Sequence, residues 1–245
     1  EPSLTYTTAY QTEKDSFYVT VGLWQAGQNR IFIDCNVQSP ADMLSPGRIG
    51  MTAILPVRFT AMKWYGKGPL ETYPDRQCGG RMGVYSEDVR NQPFYLRPQE
   101  YGLHTESRSM RLTDPDRADF VRFEAACPMA MSAVPYSDLQ LWNARHPLEL
   151  PAPEALYVHL DYAHRGLGNS SCGPDVLPTY RIDDRPCRFG FALEAGLGER
   201  EDNPFGPIPE EIPAYHPWKA VGEQDRTPSY RDPSDPDQRS NAGMV

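Results

Sequence analysis

The chain has 245 residues with 24 Lys and Arg against 33 Asp and Glu, a net charge of -9, and a pI near 5.1. That length buries a real core and suits one large domain with a tail better than two independent domains. The acid excess excludes the clustered Lys and Arg on which binding to nucleic acids or anionic membranes is built.

The first residues, Glu1 to Tyr6, have neither the basic start nor the apolar stretch of a secretory leader, and no apolar run approaches the ~20 residues of a membrane span. A cytoplasmic location is expected, and a start without Met reads as a truncation. Leu4 to Tyr10 and Phe17 to Trp24 are β-branched and aromatic runs around the polar turn Thr12 to Ser16, a hairpin signal. Arg30 to Val37 alternates, with Ile31, Ile33, Cys35 and Val37 on one face and Phe32, Asp34 and Asn36 on the other. Arg48 to Leu55, Phe59 to Tyr65, Asp119 to Ala125, Leu156 to Tyr162 and Arg188 to Glu194 read as further strands between Pro, Gly or Asp breaks. One short helix is predicted: Ser137 caps Asp138 to Ala144, with Leu139, Leu141 and Trp142 as apolar positions, and Pro147 soon ends it. From Gly196 to Val245 prolines recur and periodicity vanishes, which divides the chain into a β-domain over 1-195 and a Pro-rich, irregular tail over 196-245. Phe205, Ile208, Tyr215 and Trp218 are the tail's candidates for docking. The odd set Cys35, Cys78, Cys127, Cys172 and Cys187 lacks a Cys-x-x-Cys pair and reads as reduced thiols.

Three segments carry most of the information. In the first, Arg48-Ile49-Gly50 leads to Trp64-Tyr65-Gly66-Lys67-Gly68-Pro69-Leu70-Glu71-Thr72-Tyr73-Pro74-Asp75-Arg76. Gly66 and Gly68 permit unusual backbone, Pro69 sets the chain direction, and the crowded charges suggest an ion-pair network that fixes a loop. In the second, Arg97 to Arg108, Glu100 and Arg108 are a candidate ion pair with Gly102 in a turn. The third runs from His159 to Asp175 through Gly166-Leu167-Gly168. It is no dinucleotide fingerprint, since no third glycine or helix follows. Cys172 has no base beside it, and His159 and His164, five apart, face opposite sides of an ideal strand, which argues against a metal site.

In this order the three segments resemble the C-terminal, small-chain domain of glycoside hydrolase family 2 β-galactosidases. The resemblance implies a large antiparallel β-sandwich of galactose-mutarotase-like form, packed on a TIM barrel whose two glutamates hydrolyse terminal β-D-galactosides such as lactose with retention. No such barrel, which needs about 250 residues alone, is present, so no catalytic residue is expected here and the segment alone should be inactive. The family's domain begins before the position of Leu4, so the sandwich is expected to lack its first strands, and the segment to be poorly soluble or oligomeric by itself. The implied partners are the catalytic barrel, in the same polypeptide or a large subunit, the galactoside, and further copies in a homo-oligomer of the complete enzyme. No cofactor is expected on this segment; magnesium, with sodium as a second candidate, belongs to the complete enzyme.

The loop Asn169, Ser170, Ser171 and Cys172 is the expected substrate-binding rim. The family's sugar-facing Trp is missing here, replaced by Cys172 or Gly173. Two other readings are a stand-alone carbohydrate-binding sandwich, with Trp24, Trp64 or Trp142 as platform, and an aldose epimerase pairing His104 with Glu106 or Glu100.

Overall fold

A computed structural model describes residues 3–11, 16–38, 45–93, 95–96, 100–168, 173–182 and 186–198. Among these described residues ten strands form: β1 (Leu4–Gln11), β2 (Ser16–Gln25), β3 (Arg30–Gln38), β4 (Arg48–Pro56), β5 (Ala61–Gly68), β6 (Arg81–Asp88), β7 (His104–Thr113), β8 (Phe120–Val134), β9 (Ala155–His164) and β10 (Cys187–Gly196). All their pairings are antiparallel. The order is β1-β2-β3-β10-β8-β7-β5-β6, with β9 joining β8 and β4 joining β9.

Strand β8 makes the sandwich. Its first half pairs with β10 through Ala125, and its second half pairs with β9 from Ala130. Between them the β7–β8 register shifts, and Pro128, which has no N–H to give a ladder, stands in that gap. The second half, with β9 and β4, folds over the larger layer: Cys35 Sγ on β3 lies 3.2 Å from Met51 Sδ on β4, and Tyr162 on β9 stacks at 5.6 Å on Phe189 of β10. Phe123, Met110, Met131, Leu160 and Phe191 fill the core between the layers.

All eight strands predicted from the sequence form, some with shifted ends. The unpredicted β6 is an edge strand whose apolar Met82 and Val84 face solvent while Gly83 and Glu87 face inward, the reverse of the pattern that marks a strand. The strand β7, which is not among the predicted strands, is buried on both faces, with Ser107, Ser109 and Arg111 buried like Met110 and Leu112, so no alternation of polarity survives.

The helix α1 (Asp138–Asn143) begins with the predicted Ser137 cap, completed reciprocally by Gln140. Of its predicted apolar positions only Leu141 is buried; Leu139 and Trp142 are about two-thirds exposed. Cys35, Cys78, Cys127 and Cys187 are free thiols. The tail, including Phe205, Ile208, Tyr215 and Trp218, lies outside the described residues beyond 198.

One face of the larger layer is uncovered. Leu4, Tyr6 and Tyr10 on β1 stand opposite Leu23, Val21 and Phe17 on β2, and Val21 is part of the core, so these β1 side chains continue the inner face. They are 55%, 45% and 49% exposed. On the opposite layer β4 pairs, among the described residues, with β9 alone, and none of them pairs along its other edge.

Candidate functional site

The three sequence segments meet at one place. Tyr73 and Arg76 close a tight turn by two backbone hydrogen bonds, 3.3 and 2.8 Å, which presents Asp75 at its tip. The Asp75 carboxylate accepts from the backbone N–H of Leu167 at 3.0 Å and of Gly168 at 2.6 Å. Both glycines are required there. A Cβ on Gly166 would stand 2.8 Å from Asp75 Cγ, and Gly168 has a φ of +57° with the Val176 backbone crowded against it.

The root of the loop is also tied across. Arg165, before it, donates to Asp175, after it, at 2.6 Å. Arg181 reaches Asp175 at 3.1 Å, and the N–H of Val176 donates to it at 2.7 Å. These bonds, the Val176 N–H foremost, hold the Asp175 carboxyl below its usual range. Asn169, Ser170, Ser171 and Cys172 lie outside the described residues; what is described is the frame that carries them.

A second set of bonds fastens the Gly68-to-Gly80 segment to the residues before β7. Glu71 accepts from the Gly102 N–H at 2.8 Å and from the Tyr95 hydroxyl. Thr72 Oγ1 accepts from the Thr105 N–H at 2.8 Å. Gly102 has a φ of +73°, which a side chain would strain.

Beneath this frame is a buried polar cluster. Glu100 pairs with Arg48, lies 3.4 Å from His164 Nε2, and accepts from the Tyr73 hydroxyl at 3.5 Å. The predicted Glu100–Arg108 pair is therefore not formed: Glu100 is aimed at the β4 and β9 ends, and Arg108 takes Glu106 at 3.5 Å. Nor do His159 and His164 point apart. Opposite Gly50 stands Asp161, but opposite Ile49 stands Ala163, so Tyr162 is the extra residue of a β-bulge that reverses the alternation. Both histidines therefore meet the Arg48–Glu100 pair: Arg48 Nη1 is 2.7 Å from His159 Nδ1.

The charges follow from this packing. Burial pushes the Asp161 carboxyl up to about 7, with Arg48 only partly opposing it. Burial, aided by Arg48, lowers His159 to about 4. For His164 burial would lower the pKa, but the hydrogen bond and charge of Glu100 outweigh it and hold the imidazole above its ordinary value. Burial likewise opposes the Glu100 carboxylate, and His164 and Arg48 keep it below its ordinary value. The cluster ties Arg48 at the start of β4 and His159 and His164 on β9 to Glu100.

The epimerase pairing is not assembled. The His104 ring stacks on Trp64 at 3.9 Å, and its nearby carboxylate is Glu87 at 3.5 Å, while Glu100 and Glu106 engage other partners. Trp64 is 1% exposed and offers no platform.

The family model described as "Beta galactosidase small chain" matches residues 2–193. The β-galactosidase of Staphylococcus xylosus is 31% identical over 62% of this chain and 16% of its own length. That of Arthrobacter sp. strain B7 is 33% identical over 65% and 16%, and β-galactosidase BgaC of Bifidobacterium adolescentis is 35% identical over 69% and 16%. The chain thus spans about one sixth of these relatives. Among solved structures, an Escherichia coli protein named as an aldose 1-epimerase aligns over 79% of this chain and 65% of its own, with a TM-score of 0.44 and 11% identity.

Proposed function

The chain belongs to the β-galactosidase small-chain family, and from that premise we propose that it is the C-terminal segment of a β-galactosidase that hydrolyses terminal, non-reducing β-D-galactosides such as lactose with retention. The catalytic glutamates are assigned to a TIM barrel outside this segment. The segment contributes the Asn169-to-Cys172 loop to the active-site rim, and the complete enzyme works in the cytoplasm as a homo-oligomer. Among the described residues no helix is long and apolar enough to cross a membrane.

The observation that carries the rim assignment is the grip of Asp75 on the Leu167 and Gly168 N–H groups. A loop whose root is fixed by a carboxylate from 92 residues away is built for position, which substrate alignment requires. The uncovered inner face of β1 and β2 and the open edge of β4 support assembly, since both suit further strands from the rest of the enzyme. Among the described residues no three His, Cys, Asp or Glu stand where they could hold a metal ion together. Glu71, Asp75 and Glu100 are already taken up by protein donors. The metal is assigned to the barrel.

Replacing Asn169 to Cys172 by an equally long Gly-Ala linker in the assembled enzyme tests the rim. KM for lactose rises at least tenfold while the oligomer and its melting temperature are kept. An unchanged KM and kcat would remove the loop from the site.

A further inference from the structure

The outer face of the β4–β9 layer is roofed by α1 and neighbouring loops over Leu103, Ala130, Val134 and Leu141. Along β4 it is bare, with Thr52 exposed and Ile54 66% exposed. At the corner where α1 meets this strip, Asp138 faces Arg48 and His159, and Trp142 follows on the same helix. Asp138 and Trp142 are one turn apart on α1, about 40° around its axis. Their exposures are 58% for the Asp138 side chain and 66% for Trp142.

Facing Asp138 are Arg48 Nη1 at 3.8 Å and His159 Nε2 at 3.7 Å. Both gaps exceed a hydrogen bond, so Asp138, Arg48 Nη1 and His159 Nε2 do not saturate one another and can each turn to a hydroxyl beside them. His159 is 3% exposed, and its Nδ1 is held by Arg48 at 2.7 Å and by Thr52 Oγ1 at 3.1 Å. With Nδ1 accepting from the guanidinium, the neutral ring carries its proton on Nε2, which faces Asp138 and has no acceptor within hydrogen-bond range among the described residues.

We propose that this corner is a second carbohydrate site, which takes a neutral pyranoside with the apolar face of the ring on the Trp142 indole and adjacent hydroxyls bridging Asp138, His159 and Arg48. An exposed indole suits the C–H face of a sugar ring. A carboxylate beside two N–H donors suits hydroxyls, which both donate and accept. The negative Asp138 at the mouth disfavours anions, and Arg48 and the donor-only Nε2–H disfavour cations. The site goes beyond the proposed rim function and needs no barrel.

The full chain labelled with 5-fluorotryptophan is titrated with methyl β-D-galactopyranoside, and separately with the acyclic polyol sorbitol, while the fluorine spectrum is read. The resonance lost in Trp142→Phe is expected to shift with a dissociation constant on the order of 1 mM, and sorbitol leaves it in place. Asp138→Asn weakens the titration at least fivefold, with the far-UV spectrum unchanged because both residues are exposed. No shift by about 100 mM galactoside, an unchanged constant in Asp138→Asn, or a response to sorbitol equal to that of the galactoside would each overturn the site. None of these outcomes depends on whether the chain supports galactosidase activity.

Discussion

Around Asp75 and Glu100, segments 52 to 93 residues apart are joined by carboxylates that find backbone N–H, imidazole or guanidinium partners. Along β1 the reverse holds: Leu4, Tyr6 and Tyr10 point the same way as the core residue Val21 and stay about half exposed. The first region completes itself within the chain. The second has the composition of an interior without its covering layer, which monomeric surfaces rarely present. The contrast separates what the described residues hold by themselves, the root of a loop, from a face they leave half exposed.

The tied region should fail first when a carboxylate is removed. Glu100→Ala leaves Arg48 and His164 buried without their counter-charge and is expected to cost about 3–5 kcal/mol, read as a lower urea midpoint; a loss below about 1 kcal/mol would show that the cluster is not a brace. Asp75→Ala strips the acceptor from Leu167 and Gly168 at a cost of about 2–3 kcal/mol. In the assembled enzyme it should also raise KM for lactose more than it lowers kcat.

The pH dependence comes next. Asp161, raised from 3.8 to about 7, holds in the folded protein a proton that the unfolded chain releases. It therefore removes stability as pH rises from about 4 to 7, and Asp161→Asn should flatten that part of the curve. Glu100, held low, stabilises above the ordinary carboxylate pKa, and that contribution fades as pH falls through its folded value. His164, held high, stabilises below the ordinary imidazole pKa and loses this as pH rises through its folded value. Urea midpoints of both proteins across pH 4–8 check the signs.

The smallest effect belongs to the open face. Tyr6→Lys should change the stability of the isolated chain by less than about 0.5 kcal/mol, since Tyr6 is 45% exposed, yet raise its solubility and weaken its assembly with the rest of the enzyme. A loss of several kcal/mol in the isolated chain would mean that the face is already covered there.

Much of the fold was legible because strand periodicity survives wherever one face is wet, as in β2 and β4. It was lost in β7, buried on both faces, and in β6, whose apolar side chains face out. In β3 Phe32 and Asp34 are buried on the supposedly polar face, since Phe32 lies over Gly190 and Asp34 pairs with Arg188 at 2.7 Å. The site was legible as segments and not as contacts. Gly166 and Gly168 were visible ahead of the loop, but only the fold shows Asp75 as the group that approaches them. Spacing misplaced His164 because one bulge residue, Tyr162, reverses every side chain beyond it.

The proposed role of this chain is to supply position and assembly to a β-galactosidase whose chemistry lies in a barrel elsewhere. Its most direct test is hydrolysis of a chromogenic β-galactoside by this chain, by a matching barrel-bearing fragment, and by the two mixed. Activity that appears or rises at least tenfold only on mixing is the predicted result. Hydrolysis by this chain alone, or full activity of the barrel fragment without it, would contradict the account.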